Sequence, residues 1–241
     1  MDFKQYYLKN RTYAKQIDPR LARMIKIVRK RRPATLLDIG CGDGFLIGEL
    51  RKCPELRQTK FSGVDVYAQR PKGFSYTAAD ITTRLPYRTG QFDCVVIGEV
   101  IEHVPNTDHV LREINRVLKR GGTLLITTPN LVSWFNRLLV PFGIQPLFSE
   151  TSSERKMGRR WRALGQGNKS QGHLKIFTHR SLGEIMEYTG FDVTERRGVV
   201  FFFPWPLSWI DRVWSLRPAT ASGLIYVGEK RRRPTPPPKR L

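Results

Sequence analysis

The run Asp38-Ile39-Gly40-Cys41-Gly42-Asp43-Gly44 holds the densest chemistry in the chain: glycines alternate with acidic and small side chains directly after an apolar stretch. Glycines at such a junction let the backbone turn sharply and lie against a ligand that a Cβ would exclude. Asp65 closes the next apolar run, 25 residues after Gly40. A carboxylate at that place can accept both hydroxyls of a ribose. The loop reads GCGDG rather than GxGxxG, and Asp38 and Asp43 would both repel a pyrophosphate. An ammonium or a sulfonium would be attracted instead. The pattern therefore favours a positively charged adenosine derivative over a dinucleotide. Each acid also has a plainer reading: Asp38 as an acceptor for loop amides, Asp65 and Asp80 as strand-end caps. Cys41 has no basic partner and reads as a loop filler, not a nucleophile.

A second constellation is Glu99-Val-Ile-Glu102-His103, with two carboxylates and an imidazole within five residues. Three roles are open. The group can be structural, or His103 can act as a general base on a hydroxyl. It can also hold Mg²⁺ or Mn²⁺ through Glu99, Glu102 and His103. His173 and His179 are the nearest candidates for a further ligand. His103 is the expected catalytic group, and no metal is expected.

The elements that must position these residues are legible as runs. Asp18 can cap a helix with Pro19 at its first position and Leu21, Met24, Ile25 and Val28 at helical spacing, ended by Pro33. ATLLDIG, KFSGVDV, SYTAADI (ending at Asp80), FDCVVIGEV and TLLITTPN read as strands. FLIGELRKC and a stretch from about Asp108 to Lys119, ended by Gly121 and Gly122, read as helices. Apolar strands alternating with helices imply a parallel sheet covered on both faces. Later come a helix from Ser181 to Thr189 closed by Gly190, a strand FDVTERRGVVF, and a last strand GLIYVGEK.

LLDIGCGDG, GVDV, AAD, FDCVVIGEVIEHV and LKRGGTLLITTPN fall in the order and spacing of the class I S-adenosylmethionine-dependent methyltransferases, which the chain resembles over roughly residues 35–130. The EVIEHV stretch resembles the group acting on quinone precursors, lipids, glycans and other small molecules. It also partly resembles the ExxEH metal motif of small-RNA 2′-O-methyltransferases, although Val104 stands where that family has a second histidine. Arg120 replaces the proline usual before the double glycine. The resemblance implies a Rossmann-like, doubly wound α/β fold with a mostly parallel seven-stranded sheet, an antiparallel last strand and a lid-like insertion. It implies S-adenosyl-L-methionine as cofactor. Asp38, Gly40, Cys41, Gly42 and Gly44 would cradle its methionine part and Asp65 with Val66 its ribose. Asp80 with Ile81 would face the adenine, and Glu99 with Val100 would lie at the strand end under the cofactor.

The expected organisation is a basic helical segment (1–32), a catalytic domain (33–229) and a basic, disordered tail (230–241). Within the domain lie a substrate-side insertion (131–180) and an aromatic insertion (203–218). Trp134, Phe135, Phe142, Phe148 and Trp161 can line an apolar pocket or form core beneath the first insertion. Phe201, Phe202, Phe203, Trp205, Trp209 and Trp214 suit a membrane interface, a dimer contact or a packed hairpin. The net charge of +21 is concentrated at the ends: residues 1–32 hold 11 basic and 2 acidic side chains, and residues 230–241 hold 6 basic and none acidic. These ends are either a solubilising surface or contacts for lipid head groups or nucleic acid. Three cysteines without a pairing pattern, and no signal-like N-terminus, fit a cytoplasmic protein that is soluble or membrane-peripheral.

The expected function is methylation of a small, hydroxylated, apolar or lipid- or glycan-linked acceptor, oxygen being the favoured atom. The alternatives are an RNA methyltransferase and, from another class, a non-catalytic nucleotide-fold or dinucleotide-binding protein.

Overall fold

The computed structural model describes residues 16–67, 72–158, 170–200, 203 and 205–231. Its elements in chain order are α1 (Pro19–Arg31), β1 (Thr35–Ile39), α2 (Phe45–Arg51), β2 (Lys60–Asp65), β3 (Ser75–Ala78), β4 (Phe92–Gly98), α3 (Thr107–Val117), β5 (Leu118–Pro129), α4 (Trp134–Leu139), α5 (His179–Tyr188), β6 (Phe191–Val199), α6 (Leu207–Trp214) and β7 (Gly223–Lys230).

The strands form one sheet in the order β3-β2-β1-β4-β5-β7-β6. The first five pair in parallel, and β7 runs antiparallel to both β5 and β6. This is the expected mostly parallel sheet with an antiparallel last strand. Successive side chains in a strand point to opposite faces, and here both faces are covered. Leu37, Ile39, Val95, Ile97, Leu124 and Ile126 join one core with Leu111, Ile114, Leu182 and Met186 of α3 and α5. Leu36, Val96, Leu125, Ile225 and Val227 join the other with Leu21, Met24, Val28, Leu46 and Leu50 of α1 and α2. The continuous apolar runs follow from that double burial.

Asp18 caps α1 by accepting the Leu21 N–H at 2.7 Å. Arg31, in the last turn of α1, donates to Thr123 and Glu229 at 3.0 and 3.1 Å, tying the helix to β5 and β7. The helix thus belongs to the sheet's core rather than standing apart as a separate segment.

Four local readings are corrected. α3 ends at Val117, and Leu118 already pairs with Phe92 across the sheet, so Gly121 and Gly122 lie inside β5 rather than closing a helix. β3 stops at Ala78, and Asp80 lies in the following turn. α5 starts at His179 rather than Ser181, capped reciprocally by Thr178 and Ser181. The Pro/Trp-rich stretch contains a helix, α6.

Trp134 and Phe135 are buried in a third cluster with Leu139, Leu147 and Phe203, so they are core under the insertion rather than pocket lining. Phe148 packs against that cluster, whereas Phe142 is exposed. Trp161, Phe201, Phe202, residues 1–15 and residues 232–241 lie outside the described residues. All three cysteines are free.

Candidate active site

The strand order reverses between β1 and β4, and in open parallel sheets ligands bind beyond the carboxyl ends of strands at such a switch point. The glycine loop, Asp65 and Glu99 stand at the carboxyl ends of β1, β2 and β4. The loop 40–44 leaves β1 and hangs on β2: Gly40 and Cys41 both donate to the Val64 carbonyl, at 2.8 and 3.3 Å. Gly40, Gly42 and Gly44 have φ of 70°, 54° and 84°, the left-handed region that side chains resist. A Cβ on Gly40 would also lie 2.4 Å from Cγ2 of Val100. That contact places Val100 directly under the glycine loop.

Asp65 ends β2 and is buried, and its Oδ2 accepts the Gly42 N–H at 2.8 Å. Asp38, one strand over, is buried as well. Burial, and then the nearby charge of Asp65, push the Asp38 carboxyl up to about 8. Asp43 is exposed and accepts the Phe45 N–H at 3.2 Å. Asp80 accepts from the backbone and hydroxyl of Thr82 at 2.8 and 2.7 Å, which shapes its turn and leaves it partly exposed, while Ile81 is buried. Burial pushes the Cys41 thiol up, against any nucleophilic use.

Glu99 follows β4 with φ 54°, and its carboxylate takes the Arg20 guanidinium at 3.0 Å. Arg20 went unnoticed in the sequence because it lies 79 residues away. The chain then makes a short 3₁₀ turn, Ile101–His103. Glu102 is wholly buried; one carboxylate oxygen accepts from Thr128 Oγ1 at 3.0 Å, and its Oε1 has no hydrogen-bond partner. The Glu102 carbonyl accepts the amides of Leu174 and Lys175, fastening the turn to the end of the insertion.

That fastening brings His173, not His179, beside His103. Their ring centroids are 4.8 Å apart, and Glu102, His103 and His173 offer ligand atoms all within 4.8 Å of one another. Nδ1 of His103 lies 3.1 Å from the Gly172 carbonyl, and Nδ1 of His173 lies 2.8 Å from that of Phe148. A carbonyl only accepts, so both Nδ1 atoms carry the proton and both Nε2 atoms carry the lone pair. Burial, then the neighbouring His173, push His103 down to about 4.

Glu150 holds the segment that presents His173. It accepts from Ser170 Oγ at 2.6 Å and from the amides of Gln171, Gly172 and His173 at 2.8 to 3.2 Å. Burial opposes its charge, yet those donors keep the carboxyl below its ordinary range. No spacing in the sequence singles it out.

A doubly wound sheet with a glycine turn and strand-end acids at its switch point defines a nucleotide-fold enzyme class, and sequence comparison narrows it. The model of the family described as "Methyltransferase domain" matches residues 7–196, and the chain belongs to that family. A 27-O-demethylrifamycin SV methyltransferase of Amycolatopsis mediterranei is 30% identical over 188 residues, covering 72% of this chain and 64% of that protein. A ubiquinone biosynthesis O-methyltransferase of Xanthomonas oryzae is 31% identical over 108 residues, 40% of this chain and 44% of that protein. The matched region thus spans less than half of that relative. The crystal structure of Burkholderia thailandensis 1,6-didemethyltoxoflavin-N1-methyltransferase, with S-adenosylhomocysteine bound, superposes with a TM-score of 0.54. The pair is 18% identical, and 89% of this chain and 80% of that one are covered. It shares the fold.

Proposed function

We propose that this chain transfers a methyl group from S-adenosyl-L-methionine to a hydroxyl of a small, apolar acceptor. The observation that carries the reading is the pair Asp38 and Asp65, two buried carboxylates at adjacent strand ends around a glycine turn. Asp65 would hold the ribose hydroxyls, with Val66 beside it, and Asp38 would face the methionine ammonium across Gly40, Cys41, Gly42 and Gly44. Glu99 and Val100 would form the floor, and Asp80 with Ile81 the adenine side. The sulfonium supplies an activated methyl group when bound. The protein's share is alignment and the exclusion of water. O-methyltransferases among the relatives support oxygen as the acceptor atom.

The acceptor side is Glu102, His103 and His173. Its donor set fits a divalent cation: a buried carboxylate with one oxygen lacking a partner, and two imidazoles whose Nε2 lone pairs are fixed by carbonyls behind them. A cation held there would lower the pKa of an acceptor hydroxyl. Without one, His103 would take the hydroxyl proton.

Calorimetry with S-adenosylhomocysteine and NAD tests the cofactor, the first expected to bind and the second not. NAD binding alone would sink the reading. Labelled methyl transfer to a polyprenylated phenol and to a small RNA then separates the acceptor classes, incorporation into the phenol being expected. Titration of Mn²⁺ followed by electron paramagnetic resonance should show binding lost in Glu102→Gln. Turnover untouched by chelator, with no Mn²⁺ bound, would leave His103 as the sole candidate base.

A further inference from the structure

α6 carries apolar side chains on its outer face as well as its inner one. A helix packed on a domain ordinarily turns its apolar stripe inward. In α6 the only fully buried residue is Asp211, while Trp209 (65% exposed), Val213 and Trp214 face out. Trp205 and Leu216, at its two ends, are 85% and 81% exposed. The helix is clamped through polar atoms: Asp211 Oδ1 accepts from the indole Nε1 of Trp134 at 2.8 Å and from Ser222 Oγ. Leu207 and Ile210 add partial packing against the Trp134–Phe135 cluster. The outward tryptophans are therefore held on a fixed platform.

The exposed charges of the two stretches that carry this face are of one sign. Stretches 131–149 and 205–222, whose helices α4 and α6 share that cluster, hold three charged residues besides Asp211. They are Arg137, Arg212 and Arg217, all exposed. The only acid in either stretch is the buried Asp211. Arg137 donates to the Ala219 carbonyl at 3.0 Å, so its stem lies at the turn that follows α6. α4 and the turn after it add exposed Leu138, Val140 and Phe142.

We infer that this face docks on an anionic lipid surface, with the indoles of Trp205 and Trp209 seated at head-group level and the three arginines meeting lipid phosphates. Tryptophan flanked by arginine suits an interface that is apolar below and negative above. A second copy of the chain is the poorer occupant. Self-association would set Arg137, Arg212 and Arg217 against their own kind, with no exposed acid in either stretch to offset them and a net charge of +21 behind them. Among the described residues no helix is long and apolar enough to cross a membrane, so the contact is peripheral. The inference stands independently of the methyl-transfer reading.

Flotation of the full chain with vesicles tests it. Wild type should float with phosphatidylcholine vesicles containing about one-third phosphatidylglycerol and stay behind with pure phosphatidylcholine. A Trp205→Ser/Trp209→Ser variant should bind the anionic vesicles at least tenfold more weakly, and Arg212→Glu/Arg217→Glu should do the same. Both pairs are exposed, and an unchanged thermal melt confirms the fold. Binding undiminished by the serine pair would assign the affinity to the basic ends and overturn the inference. So would failure of wild type to float, or a dimer in sedimentation that the serine pair dissociates.

Discussion

Asp38 and Asp65 lie at the ends of neighbouring parallel strands, and the charge of one adds to burial in raising the carboxyl of the other to about 8. A carboxyl raised in this way is expected to ionise when a cation comes to lie beside it. Cofactor binding should then release a proton, because an ammonium beside Asp38 favours the ionised form.

Cofactor affinity is therefore expected to rise with pH up to about 8 and then level off. Calorimetry at pH 7 in buffers of different ionisation enthalpy should report the released proton, and Asp38→Asn should abolish both the release and the pH dependence. The same shift makes a stability prediction. The folded protein holds this proton more tightly than the unfolded chain does, so stability of the ligand-free protein falls as pH rises from about 4 to about 8. Asp38→Asn should flatten that decline in urea unfolding series. An unchanged slope would mean that Asp38 ionises normally.

Gly40 carries a different kind of constraint. Its φ of 70° and the 2.4 Å approach of a notional Cβ to Val100 are separate obstacles. Gly40→Ala should cost about 1–2 kcal/mol for the left-handed backbone alone, with a further loss from the clash. Adding Val100→Ala should recover the clash share but not the backbone share. Urea midpoints of the two singles and the double give the coupling; simple additivity would show that the loop yields without touching Val100.

Much of this site was legible because its signals are local. The glycine turn and Asp65 lie within one strand–helix–strand unit, and double burial makes β1, β4 and β5 read as plain apolar runs. What stayed hidden depends on partners far along the chain. Arg20 meets Glu99, and Glu150 gathers residues 170–173, through contacts that no periodicity announces. Leu118 continues the apolar spacing of α3 yet is claimed by pairing with Phe92, so tertiary pairing moved that boundary. α6 was hard to read as a helix for the converse reason, since its apolar side chains fall on both faces instead of one inward stripe.

Glu150 should act as a positioning residue. Glu150→Ala removes the acceptor for one hydroxyl and three amides, releasing the segment that sets His173 next to His103. Turnover should fall by at least tenfold while affinity for S-adenosylhomocysteine stays within about twofold, because the glycine loop lies on other strands. Glu150→Gln keeps an acceptor oxygen and should recover part of the rate. Equal loss of cofactor affinity and turnover in the alanine variant would point to general unfolding of the insertion instead.

Asp211 concentrates the attachment of α6 in one side chain. Asp211→Ala would leave the Trp134 indole N–H and the Ser222 hydroxyl buried without their acceptor, each costing about 1–3 kcal/mol. A loss of about 2–6 kcal/mol is therefore expected, read from urea unfolding. Asp211→Asn retains one acceptor oxygen in nearly the same volume and should lose less than half as much. Hydrogen exchange supplies the local readout: amides of α6 should lose protection in Asp211→Ala while those of β1 and β4, on the far side of β5, keep theirs. Uniform loss across the sheet would show that α6 is part of the global folding unit, and that the platform carrying Trp209 is not a separable attachment.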